Sequence, residues 1–193
     1  ASTLPANTGS ATATDNCNGA PLVTFNDVTI AGSCPQERTI NRTWTATDGC
    51  GNSSTCLQTI FVDDSVPPVI TCPANVTIEC TASTLPPATG TATATDNCAG
   101  NPLVEFSDAI LSGECPSLET ITRTWIASDG CGNSSTCVQV IIVTDTTVPG
   151  ITCPANVTIQ CTASTLPPNT GSATATDNCD PASSIVIAQR DSI

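Results

Sequence analysis

Residues 72–80, "CPANVTIEC", decide the fold because they combine a short β-branched run with two cysteines placed eight residues apart. The central Val-Thr-Ile alternates apolar and polar side chains, which is typical of a strand. Along a strand, eight residues span roughly 26 Å at about 3.3 Å each. A disulfide needs its two Cα atoms within about 7 Å. Cys72 and Cys80 therefore cannot bond to each other, and each is expected to have a partner elsewhere.

An internal repeat of 81 residues organises the chain. The opening stretch returns as "CPANVTIQC" at 153–161, and an "STLP" segment begins at Ser2, Ser83 and Ser164. Every cysteine recurs at this spacing, which gives six cysteine positions per repeat. The predicted units are a first repeat without its opening strand (1–65), a complete repeat (66–146) and a third repeat without its last strands (147–193).

The composition narrows the class of protein. Six cysteines in roughly 80 residues indicate a disulfide framework made in an oxidising compartment. A net charge of -13 with four basic residues disfavours nucleic acid and anionic membrane surfaces as partners. The disulfide framework leads us to expect a secreted, extracellular or cell-surface location. No apolar run is long enough to span a membrane, so we expect no membrane insertion in this segment. Without histidine or lysine, only carboxylates such as Asp96 and Asp129 could serve as acid or base. Their Asp-Asn and Asp-Gly contexts are typical of turns, so we expect no enzyme and no required cofactor.

Short strands separated by turn signals every 8 to 12 residues, with no helical period, predict an all-β fold of tandem immunoglobulin-like β-sandwiches. Proline-containing linkers favour stiff, extended backbone between units. We therefore expect a head-to-tail rod that advances roughly 40 Å per repeat. In the middle repeat the strands are expected at 75–80, 90–95, 103–108, 120–128 and 136–145.

This topology also predicts disulfides. It places only Cys80 and Cys115 at one end of the sandwich, and four cysteines at the other end. First and last strands are commonly neighbours, which favours one way of pairing those four. The preferred pairs are Cys80–Cys115, Cys72–Cys137, Cys98–Cys131 and, in the first repeat, Cys17–Cys50. The alternative for the crowded end is Cys72–Cys98 with Cys131–Cys137.

Three segments of the middle repeat, "PPVITCPANVTI", "ATDNC" and "RTWIASDGCGNSSTC", resemble the hyalin-repeat (HYR) family. The six-cysteine form is similar to tandem repeats of very long secreted surface proteins of Bacteroidetes. The resemblance covers nearly the whole chain and implies an immunoglobulin-like extracellular module associated with adhesion. The simplest members of the family have only the cysteine pair that matches Cys72 and Cys137. The family has no catalytic residues to transfer.

Near-identical copies favour a structural role, because a spacer gains length with each copy. We therefore expect a stalk, an adhesin or a surface fibre that self-associates or binds other cell-surface or glycan partners. The alternative is a glycan- or protein-binding tandem array with calcium-stiffened domain junctions. Calcium prefers hard oxygen ligands. The linker and the predicted turns at the four-cysteine end of the sandwich supply such oxygens, although an acidic linker can also be merely solvated. The candidate ligands are Asp63, Asp64, Asp96 and Asp129.

Three further groups of residues are candidates for modification, assembly or packing. On the last strand, Val138, Val140 and Ile142 are expected to face outward and to invite lateral assembly if that strand is an edge strand. Arg42 and Arg123 each precede a tryptophan by two residues and are expected to stack on it or to pair with a carboxylate.

The N-glycosylation pattern occurs at Asn41, Asn52, Asn75, Asn133 and Asn156. Asp-Ser/Thr sequences that resemble the Bacteroidetes O-glycosylation signal place candidates at Ser65, Thr146 and Ser192.

Overall fold

The structure is a computed structural model that describes residues 2–17, 19–98, 100–115 and 118–190. It is mostly β, as predicted, with strands in several sheets. The short helices are α1 (Pro5–Thr8), α2 (Pro86–Thr89) and α3 (Pro167–Thr170). The strands are β1 (Leu22–Ala31), β2 (Arg38–Thr47), β3 (Ser53–Val62), β4 (Val69–Thr71), β5 (Val76–Glu79), β6 (Thr93–Thr95), β7 (Leu103–Ser112), β8 (Glu119–Ser128), β9 (Ser134–Thr144), β10 (Gly150–Thr152) and β11 (Thr174–Thr176).

The first repeat forms a sheet in the order β1-β2-β3. Both strand pairs are antiparallel, with Phe25 opposite Trp44 and Trp44 opposite Cys56. The two aromatic rings lie 5.3 Å apart in a tilted arrangement, which is a favourable geometry for an aromatic pair. The cross-strand contact therefore fixes the register of β1 against β2.

The middle repeat forms a four-stranded sheet in the order β5-β9-β8-β7. Here β5, which lies within residues 72–80, pairs in parallel with β9, and Val76 lies opposite Ile141. Ile121, Ile141 and Val143 form a buried cluster, against which side chains of β5 pack. The first and last strands of the repeat are neighbours, as expected, and β9 is therefore not an edge strand here.

The three single-turn helices were not predicted, since four residues are too few to show a helical period. Each follows a leucine and begins with proline, whose fixed φ suits the first turn of a helix. In the middle repeat Gly90 ends the helix at φ +99 and its N–H donates to the Pro86 carbonyl oxygen. A Cβ at Gly90 would lie 2.7 Å from the Pro73 side chain, so glycine permits this close approach.

Several strand boundaries in the middle repeat differ from the prediction. Gly90, the first residue of the predicted strand 90–95, is the cap of α2, and the strand is reduced to β6. β6 pairs with β4, which was not predicted. The predicted strand 103–108 continues to Ser112, about 13 Å further at 3.3 Å per residue.

The chain divides into two compact units. Both units contain residues of the middle repeat. The limits of the units therefore do not coincide with the predicted repeat boundaries at 65/66 and 146/147. The first unit comprises Ala1–Ile70, Ala94–Val104 and Ile126–Ser135, and the second comprises Thr71–Thr93, Glu105–Trp125 and Thr136–Ile193.

Candidate functional site

A buried arginine holds the interior of the middle repeat together. Arg123 is 0% exposed and binds both carboxylate oxygens of Asp108 at 2.8 Å. It also donates to the Thr89 hydroxyl at 3.0 Å and to the Thr84 carbonyl oxygen at 2.9 Å. Four of the five guanidinium N–H donors are thus occupied within the repeat. The Cζ atom of Arg123 lies 4.4 Å from the centroid of the Phe106 ring.

The first repeat reproduces this arrangement 81 residues earlier. Arg42 binds Asp27 at 2.7 and 2.8 Å and donates to the Thr8 hydroxyl and the Thr3 carbonyl oxygen. The hydrogen bond from Arg42 lowers the pKa of the Asp27 carboxyl below its ordinary value. The predicted carboxylate pairing is confirmed for both arginines, and the guanidinium carbons also lie 5.6 and 5.8 Å from the ring centroids of Trp44 and Trp125. A guanidinium engaged in this way is a structural group, so we assign it no ligand.

The late turn of each repeat is closed by an aspartate. Asp129 accepts backbone N–H donors from Cys131 and Asn133 at 2.8 Å, and the Asn133 amide donates to its other oxygen at 2.8 Å. The side-chain hydrogen bond from Asn133 is the main cause that lowers the pKa of Asp129. Because both oxygens are already occupied, Asp129 is a turn-closing residue and not a free ligand.

The same turn fixes the linker that enters the middle repeat. The Asn133 amide donates to the Asp64 carbonyl oxygen at 2.9 Å, and the Ser135 hydroxyl donates to the Pro68 carbonyl oxygen at 2.6 Å. These two bonds satisfy linker carbonyl groups. They hold residues 64–68 against the turn and turn Asp64 inward, where it is 5% exposed.

Only two of the four predicted calcium ligands come together. The carboxylates of Asp64 and Asp96 lie, with the Cys98 sulfur, within 4.8 Å of one another. Asp63 is exposed, and Asp129 is committed to its turn. Burial is the first cause that raises the pKa of the Cys98 thiol, followed by its contact with Asp64.

The arrangement recurs at the next junction, where Asp145, Asp177 and Cys179 gather in the same way. Asp177 accepts N–H donors from Cys179 and Asp180 at 2.8 and 3.2 Å, and the bond from Cys179 is the main cause that lowers its pKa. We missed Asp177 in the sequence. The 81-residue repeat could have identified it, because it occupies the position of Asp96.

Three disulfides form among the described residues, and one of them is the bond predicted within the middle repeat. Cys72 bonds Cys137, with Cα atoms 5.9 Å apart. This bond joins the segment before β5 to β9. The other two link neighbouring repeats: Cys34–Cys131, with Cα atoms 5.0 Å apart, and Cys80–Cys179, with Cα atoms 5.8 Å apart.

The remaining predicted pairs are therefore corrected. Cys80–Cys115 and Cys98–Cys131 are wrong because Cys80 and Cys131 are bonded to other repeats. The prediction assumed that each repeat forms disulfides only among its own cysteines, so it paired the two cysteines expected at one end of the sandwich, Cys80 and Cys115. Cys17 and Cys50, predicted to bond, are both free and exposed. The unbonded cysteines are Cys17, Cys50, Cys56, Cys98, Cys115, Cys153 and Cys161.

The glycosylation candidates differ in what their side chains do. The amides of Asn52 and Asn133 donate to aspartates of the turns, which competes with modification of that nitrogen. Asn41 is partly buried within β2, whereas Asn75 and Asn156 are exposed. Asn75 uses its side-chain oxygen to accept from the Val140 N–H at 2.8 Å.

Among the hydroxyl candidates, Ser65 and Thr146 are exposed. The Thr146 hydroxyl donates to Glu79, whereas Ser65 stays the clearest candidate. Ser192 lies outside the described residues. None of these modifications is tested by the geometry, and they stay predictions.

The outward stripe of β9 has the predicted alternation. Gln139, Ile141 and Val143 are buried, whereas Val138 and Ile142 are exposed and Val140 is partly buried. The stripe lies on a face of the sheet and not along an open edge, since β9 is flanked by β5 and β8. Any association through it would therefore use side-chain packing and not strand addition.

No protein-family model matches the chain, and no curated protein matches it. None of the helices in the described residues combines the length and apolar character needed to cross a membrane. The disulfides are of the kind that form in oxidising compartments. The resemblance to hyalin repeats stays a prediction.

Proposed function

We propose that the chain is a structural extracellular repeat protein, an element of a stalk, adhesin or surface fibre. One observation carries the proposal: two of the three described disulfides, Cys34–Cys131 and Cys80–Cys179, join neighbouring 81-residue repeats. Bonds of this kind couple each repeat to the next and oppose independent movement. Such coupling serves a protein whose role is to hold its length and shape.

The bonds follow a rule when the cysteines are grouped by repeat position. Each Cys34-type residue would bond the Cys50-type position of the following repeat, which Cys131 occupies here. Each Cys80-type residue would bond the Cys98-type position of the following repeat, which Cys179 occupies here. Under these rules and the Cys72–Cys137 rule, every unbonded cysteine has its partner position outside residues 1–193. Their free state is therefore compatible with the rule.

The repeat interior supports the same proposal. Its charged groups are used for cohesion: Arg123 is occupied by Asp108, Thr84 and Thr89, and Asp129 closes a turn. We include in the proposal that the repeats are immunoglobulin-like modules of hyalin-repeat type, exported to a bacterial surface and joined as a rod. Short strands, proline-containing linkers and the sequence resemblance support this part.

Disulfide mapping of the non-reduced protein tests the observation on which the proposal rests. Peptides linked through Cys34–Cys131 and Cys80–Cys179 are expected, and exclusive Cys80–Cys115 linkage would contradict the proposed coupling. Small-angle scattering tests the shape, because a maximum dimension near the width of one module would exclude a rod.

Lateral assembly has its own test. Val140→Lys introduces a charge into the outward stripe of β9 and should leave the circular dichroism spectrum unchanged while abolishing filaments in electron micrographs. Thr136→Lys, at an exposed position of the same strand, is the matched control. Filaments that persist in Val140→Lys would exclude the stripe as an assembly surface.

A further inference from the structure

We propose that each repeat junction binds a divalent cation of the calcium type between two aspartates. In the described residues the sites are Asp64 with Asp96, and Asp145 with Asp177. The proposal concerns a bound ion and does not depend on whether the array is a stalk, an adhesin or a fibre.

The first step is an unsatisfied charge. Asp64 is 5% exposed, and its Oδ2 atom is buried without a hydrogen-bond partner. Its Oδ1 atom accepts the Val66 N–H in a long contact of 3.5 Å, and the Cys98 thiol also contacts this carboxyl group. A buried carboxylate oxygen without a partner costs several kcal/mol unless a proton or a cation compensates it.

The second step is convergence. The Oδ2 atom of Asp96 is also buried and without a partner, while its Oδ1 accepts the Cys98 N–H at 2.8 Å. The ligand atoms of Asp64, Asp96 and Cys98 lie within 4.8 Å of one another. Oxygen atoms no farther apart than this can share one cation at about 2.4 Å from each. Two carboxylates at this distance without an ion would repel each other.

The third step is recurrence. At the next junction Asp145 and Asp177 occupy the corresponding repeat positions, and the Oδ2 of Asp177 is again buried without a partner. Asp145 is partly buried and accepts the Thr147 N–H at 3.0 Å. One orphaned oxygen has many explanations, but the same pair of aspartates in two copies points to a common occupant. The linker hydrogen bonds from Asn133 and Ser135 place Asp64 independently of any ion.

The type of cation follows from the atoms that the two sites share. The third member of the second cluster, Cys179, is bonded to Cys80 and offers no thiolate. What recurs is therefore a pair of hard oxygens, which suits calcium better than zinc. Two carboxylates are a small ligand set, so water would complete the shell. The dissociation constant should lie in the range of extracellular modules, about 10⁻⁴–10⁻³ M.

Calorimetric titration of the chelator-treated, disulfide-bonded protein with calcium chloride, in about 0.15 M salt to screen exposed charge, tests the proposal. Two ions per chain are expected. Asp64→Asn and Asp96→Asn should each remove one ion, and Asp64→Asn combined with Asp145→Asn should remove both. Asp63→Asn is the matched control, because it removes the same charge from the adjacent, exposed position and should retain both ions.

Three results would overturn the proposal. The unmodified protein could bind no calcium up to about 10 mM, tenfold above the weakest expected constant. Asp63→Asn could weaken binding as much as Asp64→Asn does, which would indicate an unspecific response to net charge. Carboxyl NMR could instead show that each aspartate pair retains one proton at neutral pH, which would make it a proton-sharing pair. If Asp64→Asn fails to fold, the stoichiometry of the unmodified protein and of Asp96→Asn decides.

Discussion

The first and middle repeats carry nearly the same three long strands, yet their interiors differ. Ile141 is 0% exposed in the middle repeat, whereas its counterpart Ile60 is only partly buried. Gln139 is buried, and its counterpart Gln58 is only partly buried. The described part of the first repeat has no strand beside β3, while the middle repeat has β5 beside β9.

The difference shows what residues 72–80 contribute to the middle repeat. β5 brings the partly buried side chains of Val76 and Ile78 onto the cluster around Ile141 and Val143, and each Å² of apolar surface removed from water contributes about 25 cal/mol. The Gln139 amide donates to the Ala74 and Thr89 carbonyl oxygens. Three long strands therefore supply the frame of the repeat, and the short β5 segment completes its core.

The largest effect is expected where the two repeats are alike. Arg123→Ala removes a buried guanidinium that binds the more exposed Asp108 carboxylate as well as Thr84 and Thr89. Hydrogen bonds to a charged group contribute about 1.5–3 kcal/mol each, and four of them are lost together. Hydrogen exchange of the β8 amides, monitored as denaturant is added, would measure the loss in the free energy of unfolding. Arg123→Lys should recover only part of the stability, because lysine cannot bind Asp108 and Thr84 with the same planar group. Full stability in Arg123→Ala would contradict the proposed role of the network.

The next effect concerns the bond that joins the segment before β5 to β9. Replacing both Cys72 and Cys137 with serine should destabilise the middle repeat by about 4 kcal/mol, because the bond closes a loop of 65 residues. Hydrogen exchange should report the change in β5 and β9 and leave β3 unaffected. Replacing the free Cys56, the counterpart of Cys137, is the control and should have little effect.

A pair of truncations tests the core difference directly. Ile141→Ala should cost about 3 kcal/mol, since deletion of a fully buried isoleucine creates a cavity. Ile60→Ala should cost less, because Ile60 already has partial contact with water. Local unfolding free energies from hydrogen exchange in β9 and β3 would provide the comparison. Equal losses at the two sites would show that β5 does not make the difference.

The smallest effect is a dependence on pH. Asp129 has a lowered pKa because of the bond from Asn133, so it stabilises the fold above its unfolded pKa, ordinarily about 3.9. This stabilisation is lost as the pH falls through the lower folded value. Asn133→Ala should move the pKa of Asp129 towards its ordinary value in a carboxyl NMR titration. Asn52→Ala should do the same for Asp48 in the first repeat.

Local pattern was sufficient for much of this fold. Alternation in the last strand predicted which of residues 138–143 are buried, and the β-branched run at 76–78 predicted β5. The spacing of Arg123 and Trp125 predicted their packing. These features depend on neighbours within one repeat, where periodicity is informative.

Contacts between repeats were less accessible from sequence. Cys80 and Cys179 are 99 residues apart, and nothing in either local sequence distinguishes a partner in the same repeat from one in the next. The carboxylate pairs show the same limit. Asp64 was predicted as a ligand from its linker, but its burial depends on hydrogen bonds from Asn133 and Ser135.

The position of β5 has a consequence for how far the chain can be stretched. From Cys34 the shortest covalent path crosses to Cys131, runs to Cys137, crosses to Cys72, follows β5 to Cys80 and crosses to Cys179. This path includes only about 14 residues of backbone, or roughly 50 Å when fully extended. The unbranched chain between the same two cysteines would reach roughly 500 Å. Under tension, most of the polypeptide would bear no force, which would pass along residues 131–137 and the nine residues "CPANVTIEC".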